Sequence, residues 1–224
     1  KLKPIMASQL NIRFISPHGE INLFHGPMFA AKTTKAVNLA TLMAEKNTVL
    51  FINWADDVRE TVGGDPGKYT SHNPSSTKIC DRVTCVAARK LADIDVDEYQ
   101  AIFVDECHFY PDLYKTVKRW AQKLNKHVYV FGLDGDYRQK RIGQTLDLIP
   151  IAARTKKLLA QCTLCVTQLR QAGYEGCIES CPAPFTAATA DMESQFAVGA
   201  GERYIPVCHR HALELKRKGK VGKE

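Results

Sequence analysis

Gly26-Pro27-Met28-Phe29-Ala30-Ala31-Lys32-Thr33 follows a strand-like run and has the spacing of a phosphate-binding loop. Such a loop needs Gly, four residues, Gly, Lys and then Ser or Thr. Its inward-turned backbone N–H groups cradle phosphates, its Lys reaches the outer ones, and its hydroxyl meets Mg²⁺. Gly26, Lys32 and Thr33 fit this pattern and Thr34 extends it, whereas Ala31 stands where the second Gly belongs. A helix opening near Thr33 would turn its positive N-terminal end toward the phosphates. The bland alternative is a strand-to-helix turn ending in a surface Lys, and a second motif weighs against it.

That motif is Ile102-Phe103-Val104-Asp105-Glu106, an apolar strand ending in two carboxylates. In phosphate-loop enzymes an Asp here helps to hold Mg²⁺, and the next Glu can take a proton from whatever attacks the γ-phosphate. Solvated acids capping a strand are the structural alternative. Asp105-Glu106-Cys107-His108 also spells the box of a DExH helicase. Such motors need two RecA-like domains, and too little chain follows His108 for a second one. A single-domain ATPase acting on nucleic acid stays open as a competing reading.

Cys162-x-x-Cys165 and Cys208-x-x-His211 are two ligand knuckles separated by a long segment. Three thiolates and one imidazole can enclose a tetrahedral Zn²⁺, and four protein ligands imply a closed structural site. Such an ion would fasten both ends of the intervening segment, because metal binding contributes folding free energy. Free buried thiols and a surface His are the alternative. Of eight cysteines, five (162, 165, 177, 181, 208) lie in this part of the chain, which favours metal over disulfides. Cys177 and Cys181 read as ordinary thiols, with spare ligands or a redox pair as alternatives. Cys80, Cys85 and Cys107 read as small packing residues.

The elements that must hold these residues alternate. Strands are expected at 20–25, 48–53, 83–87, 101–104 and 128–131, and helices at 33–46, 88–94 and 112–125. The runs at 48–53 and 101–104 are nearly continuous in apolar residues, as in strands covered on both faces. Trp120, at helical spacing with Leu113, Val117 and Leu124, is expected in the core. Residues 57–73 contain Gly63, Gly64, Pro66 and Gly67 and read as a flexible loop. Strand–helix alternation predicts an α/β fold, a RecA-like parallel sheet with right-handed crossovers, over roughly 19–157. An arm (1–18) precedes it. A small zinc-ribbon or lasso domain (158–213) and a basic tail (214–224) follow. The cysteine-rich part shows little periodicity and is expected to act as a lid.

Hydrophobic residues at 45% and charged ones at 25% suit a globular protein. No run of about 18 apolar residues suggests a membrane span. The net charge of +7 is partly in the tail, where Lys216, Arg217, Lys218 and Lys220 read as a solvated end. An enzyme handling polyphosphate also profits from positive charge, so charge alone does not name a partner. With no signal-peptide pattern and thiol chemistry of a reducing compartment, a cytoplasmic location is expected.

In combination, these residues resemble the type II thymidine kinase family, the phosphate-loop class with a zinc-anchored lasso. The resemblance runs from about residue 19 to 211. It rests on the loop at 26–33, Asp105-Glu106-Cys107-His108-Phe109-Tyr110, the run Gly132 to Lys140, both knuckles, and Val198-Gly199-Ala200-Gly201-Glu202-Arg203-Tyr204. It implies transfer of the ATP γ-phosphate to the 5′-hydroxyl of thymidine or deoxyuridine, with Mg²⁺ and a structural Zn²⁺. By similarity Glu106 is the base, Lys32 and Arg59 stabilise the transferring group, and Thr33 and Asp105 serve Mg²⁺. Met28, Phe109 and Leu133 wall the nucleoside pocket, Tyr137 stacks on the base, and Phe185, Thr186, Phe196, Val198 and Gly199 clasp it. Tyr204 meets the sugar. For Met28, Phe109, Leu133 and Tyr137, plain core packing is the alternative. A homodimer or homotetramer is implied, and neither nucleic acid nor membrane is expected as a partner.

The chain departs from the family pattern at three places. Ala31 adds a methyl where the backbone should approach phosphate, so either the loop tolerates it or the kinase is impaired. Ala188 replaces a frequent basic residue of the lasso. Additional residues around 171–182, carrying Cys177 and Cys181, lengthen the segment after the first knuckle. His211 in place of a frequent fourth Cys is a mild change. A non-catalytic zinc-ribbon module is the remaining alternative.

Overall fold

The computed structural model describes residues 18–56, 79–176, 181–189 and 203–217. Its frame is a six-stranded sheet in the order β3-β2-β4-β5-β1-β6. The strands are β1 (Glu20–His25), β2 (Val49–Trp54), β3 (Val83–Ala88), β4 (Ala101–Val104), β5 (His127–Gly132) and β6 (Arg154–Lys157). Every adjacent pair is parallel. The α/β class and parallel sheet expected from the alternating pattern are therefore what the chain adopts.

Alternation along the central strands supplies two cores. On one face, Ala36, Val37, Ala40 and Met43 of helix α1 (Lys32–Met43) pack on Phe51, Phe103 and Phe131. Phe24 and Phe131 stack with centroids 4.7 Å apart, and Phe103 and Tyr129 do the same at 4.7 Å, continuing an aromatic row across the sheet. On the other face, Leu113, Val117 and Trp120 of α2 (Leu113–Gln122) cover Leu23, Ile52, Ile102 and Val130. Trp120 is fully buried, as its helical spacing predicted. At the sheet edge all four residues of β6 are exposed. Three of them are Arg154, Lys156 and Lys157, and such charge discourages further strand pairing.

The boundaries differ at a few points. Where a helix over 88–94 was expected, β3 runs on to Ala88 and only a short 3-10 turn (Leu91–Asp93) follows. A run this short lets tertiary pairing override local propensity. The 3-10 segment Thr145–Ile151 and the polar edge strand β6 carry too weak a period to be foreseen. The expected loop at 57–73, Arg59 and the 1–17 portion of the arm lie outside the described residues.

Beyond β6 the chain builds a small second layer. β7 (Ala160–Gln161) pairs antiparallel with β8 (Pro182–Ala183), and β9 (Phe185–Ala188) pairs antiparallel with β10 (Tyr204–Val207). Helices α3 (Thr163–Gln171) and α4 (His209–Arg217) complete it. Lys216 and Arg217, read as part of a solvated end, close α4 and are exposed. The core here is made of small residues, Ala160, Ala183, Ala187, Val207 and Ala212. Ala30 from the phosphate-loop sequence packs into it.

Candidate functional site

Parallel strands put all their C-terminal ends on one edge, where open α/β sheets collect ligands. β4, β5 and β1 are adjacent there, so Gly26, Asp105 and Leu133 follow three neighbouring strand ends. Gly26 has φ +153°, and a side chain there would run into the Leu158 carbonyl. The loop then turns twice through the left-handed region, at Phe29 (φ 63°) and Ala31 (φ 54°, ψ 30°). Ala31 thus occupies the backbone conformation for which Gly is the usual residue. Its carbonyl accepts the first helical hydrogen bond, from Lys35 N at 3.0 Å.

Lys32 opens α1 with its ammonium buried, and Nζ donates to the Pro27 carbonyl at 2.7 Å. Burial pulls its pKa below the usual lysine value, opposed by the charges of Glu106, Asp105 and Asp134 in that order. The acids therefore favour the charged form of a cation aimed into the loop. Asp105 is buried, and its Oδ1 accepts from Glu106 N at 2.9 Å. Glu106 itself has φ 47° and ψ 41°, a strained backbone that fixes where its carboxylate leaves the strand end.

His108 joins this strand end to the next. Its Nδ1 accepts from Leu133 N at 3.3 Å and lies 3.8 Å from Glu106 Oε2. A ring nitrogen that accepts carries no proton for the carboxylate, so the second contact is proximity rather than an ion pair. His108 also packs on Phe109 (4.1 Å between centroids), and Phe109 stacks on Trp54 at 5.5 Å.

The residues expected around a nucleoside divide into groups. Met28, Tyr137, Ala188 and Tyr204 form one apolar cluster, with the Tyr137 and Tyr204 rings 6.3 Å apart. The Ala188 methyl is buried there, so the position that the resemblance would fill with a basic residue is here an apolar contact. Thr186 Oγ1 accepts from Met28 N at 3.0 Å and so ties β9 to the phosphate loop. Phe109 and Leu133 meet through His108, as above. Phe185 turns toward the core of the small layer, edge-on to the His209 ring at 4.6 Å. Phe196, Val198 and Gly199 lie outside the described residues.

The two knuckles converge. The ligand atoms of Cys162, Cys165, Cys208 and His211 all lie within 4.8 Å of one another. A tetrahedral Zn²⁺ with bonds of about 2.3 Å to sulfur and about 2.05 Å to nitrogen would set S···S near about 3.8 Å and S···N near about 3.5 Å. Cys165 and Cys208 sulfurs are 3.8 Å apart, and His211 Nδ1 is 3.3, 3.5 and 3.4 Å from Cys162, Cys165 and Cys208. The donor set and its spacing fit zinc. Burial and hydrogen bonding with the neighbouring thiols push the Cys165 thiol up to about 12, whereas at Cys208 burial is outweighed by hydrogen bonds from the His211 backbone and the other thiols, which hold that thiol below its usual value. His211 Nε2, the ring nitrogen turned away from the thiols, lies 3.2 Å from the Arg210 guanidinium and 4.0 Å from Glu214 Oε2. Cys177 lies outside the described residues, and the Cys181 carbonyl accepts from Cys162 N at 2.8 Å.

The sequence matches the family model described as "Thymidine kinase" over residues 19–212. The chain belongs to the thymidine kinase family. A thymidine kinase of Oryza sativa subsp. japonica is 29% identical over 206 residues, 88% of this chain and 67% of that one. The cytosolic thymidine kinase of Gallus gallus is 29% identical over 215 residues, 93% of this chain and 83% of the other. A thymidine kinase of rabbit fibroma virus is 27% identical over 197 residues, covering 86% and 95%.

Motif reading missed His25, Asp134 and Lys157. His25 Nδ1 and Lys157 Nζ lie 3.0 and 2.9 Å from Asp134 Oδ2, directly below the phosphate loop. The available signal was positional: His25 precedes Gly26, and Asp134 follows Leu133. Lys157 comes from the edge strand, which no pattern announced. Among the described residues, no helix is long and apolar enough to cross a membrane.

Proposed function

We propose that this protein transfers the γ-phosphate of ATP to the 5′-hydroxyl of thymidine, and of deoxyuridine, to supply DNA precursors by salvage. The observation that carries this is the meeting of three groups at one sheet edge in a member of the thymidine kinase family. These are the loop Gly26–Thr33, the acids Asp105 and Glu106, and the cluster Met28, Tyr137 and Tyr204.

In this reading the N–H groups of residues 26–34 hold the phosphates, and Lys32 neutralises the charge that gathers on the transferring oxygens. Thr33 and Asp105 would hold Mg²⁺, which supplies charge neutralisation and alignment to the phosphate chain when bound. Glu106 accepts the 5′-hydroxyl proton as the new O–P bond forms and the bond to the ADP bridging oxygen breaks. Arg59 steadies the transferring group. Met28, Phe109, Leu133 and Tyr137 enclose the base. Thr186, Phe196, Val198, Gly199 and Tyr204 close over it from the zinc-anchored segment, and Phe185, whose ring packs on His209, takes part through its main chain. Zn²⁺ on Cys162, Cys165, Cys208 and His211 is structural. The division into a nucleotide-binding domain (19–157) and a zinc-anchored lasso (158–213), a homo-oligomer and a cytoplasmic location belong to the same proposal.

The test is a product assay with Mg²⁺-ATP and a mixture of thymidine, deoxyuridine, deoxycytidine and deoxyguanosine, read by mass spectrometry. Thymidine monophosphate should form, and Glu106→Gln should lower kcat by about 10²–10⁴ without altering the fold. Monophosphate appearing only in Ala31→Gly would instead mean a kinase scaffold impaired at its phosphate loop, a reading favoured by the left-handed backbone of Ala31. No monophosphate from either chain would send the assignment to another phosphate-loop NTPase.

A further inference from the structure

Asp134 has no direct part in the proposed phosphoryl transfer or in the zinc centre, yet its carboxylate is tied to two neighbouring strands of the sheet. Its side chain is only 12% exposed, and Oδ2 meets His25 Nδ1 at 3.0 Å and Lys157 Nζ at 2.9 Å. Burial by itself would raise its pKa, but the hydrogen bonds from His25 and Lys157 outweigh burial and hold the carboxyl below its usual value. An ionised carboxylate only accepts, so His25 Nδ1 carries the proton and donates.

Each partner leads into a different part of the site. His25 is the last residue of β1, and Gly26 follows it. Asp134 is bracketed in sequence by Leu133 and, three residues on, Tyr137. Lys157 ends β6, and the next residue, Leu158, donates its N–H to the His25 carbonyl at 2.7 Å and crowds Gly26. The Lys157 ammonium also lies over the Phe185 ring, 5.8 Å from its centroid, at the root of the zinc-bearing layer.

We infer that Asp134 is a positioning residue which, through His25 and Lys157, holds the phosphate loop in register with the nucleoside side of the site. The inference rests on the thymidine reading for its nucleoside half only. The sheet holds the strand ends themselves, so losing the charge loosens only the side-chain tie between the segments that leave them, and a small misplacement at a reacting centre is costly. Lys157 acts toward β9 and His25 toward the loop, so their removal should not have the same effect.

The test measures thymidine and Mg²⁺-ADP binding separately by calorimetry, with zinc content and thermal unfolding as controls, in Asp134→Asn, Lys157→Met and Lys157→Arg. Asp134→Asn should weaken both ligands by about tenfold, as for a lost charge-assisted hydrogen bond. Lys157→Met should weaken thymidine by about tenfold and ADP by less than about twofold, and Lys157→Arg should recover most of the loss. Wild-type affinities in Asp134→Asn and Lys157→Met would overturn the inference. So would losses that track a fall in zinc content or unfolding temperature, since that pattern marks a role in folding alone. A parent chain that binds ADP but no thymidine would refute the nucleoside assignment, and ADP binding by Asp134→Asn would then decide the phosphate-loop half.

Discussion

Ala31 sits at φ 54° and ψ 30°, where a β-carbon crowds the following carbonyl. The left-handed conformation costs an L-residue about 1–2 kcal/mol, while Gly adopts it freely but gives up more entropy on folding. The two terms oppose, so Ala31→Gly should stabilise the protein by about 0.5–1 kcal/mol net. A thermal melt or urea titration measures this directly, and a lower midpoint would mean that the loop relaxes around the methyl at no cost. The same change should lower the KM for ATP, because it clears the approach of phosphate to the backbone. Glu106 is strained in the same way, with φ 47°, but there the side chain carries the proposed chemistry. Glu106→Gln keeps the backbone and removes the base, so stability and turnover should separate cleanly between the two variants. The departure at Ala31 was legible in the sequence because the motif demands Gly. The left-handed turn at Glu106 was not, because no local rule asks an acid to adopt it.

At the level of elements, the buried strands were readable because fully covered parallel strands cannot afford polar residues, as in 49–52 and 101–104. β6 was not, since an edge strand with Arg154, Lys156 and Lys157 looks like surface loop. Burial within these elements has a consequence for pH. Cys107 follows β4 by three residues, is fully buried, and donates toward or accepts from Thr145 Oγ1 at 3.4 Å. Burial pushes its thiol up to about 12, and Cys85 on β3 is pushed up to about 11 for the same reason. The fold therefore favours the neutral thiol. That contribution is fully present below the ordinary thiol value of 9.0 and is lost as pH rises through about 11 and about 12. Stability should fall by up to about 1.4 kcal/mol per pH unit per group in that window. Urea midpoints measured between pH 8 and 11 should decline steeply in the parent chain. They should decline less in Cys85→Ala/Cys107→Ala, even though that variant starts lower because of the cavity left in the core. Equal slopes would show that other groups govern alkaline unfolding.

Across the described residues, the cores of the sheet and of the small layer meet at the phosphate-loop sequence, where Ala30 joins the second of them. The sheet's two cores draw their buried members entirely from residues before 158, so the sheet does not need the zinc layer to bury its apolar surface. The small layer has only alanines, one valine and a cysteine at its centre besides Ala30, too little apolar area to stand alone. That imbalance explains why its knuckles were legible and its strands were not: metal spacing is a local signal, whereas two-residue strands such as β7 and β8 are too short to carry a period of their own. It also sets the outcome of removing the metal. Chelation, or Cys208→Ser, should leave most of the far-ultraviolet dichroism and the sheet's main unfolding transition in place. Thymidine binding should be lost, because Thr186 and Tyr204 lie on the paired strands β9 and β10, and β10 runs directly into the candidate ligand Cys208. ADP binding should weaken but persist, because Ala30 loses its packing partners and Met28 N loses Thr186 Oγ1, while Lys32, Asp105 and Glu106 stay on the sheet. Calorimetry of the two ligands before and after metal removal, with zinc restored as the control, separates these effects. Full thymidine affinity in the metal-free protein would show that the nucleoside side is held by the sheet alone, while simultaneous loss of both ligands and of the unfolding transition would show that the two units fold as one.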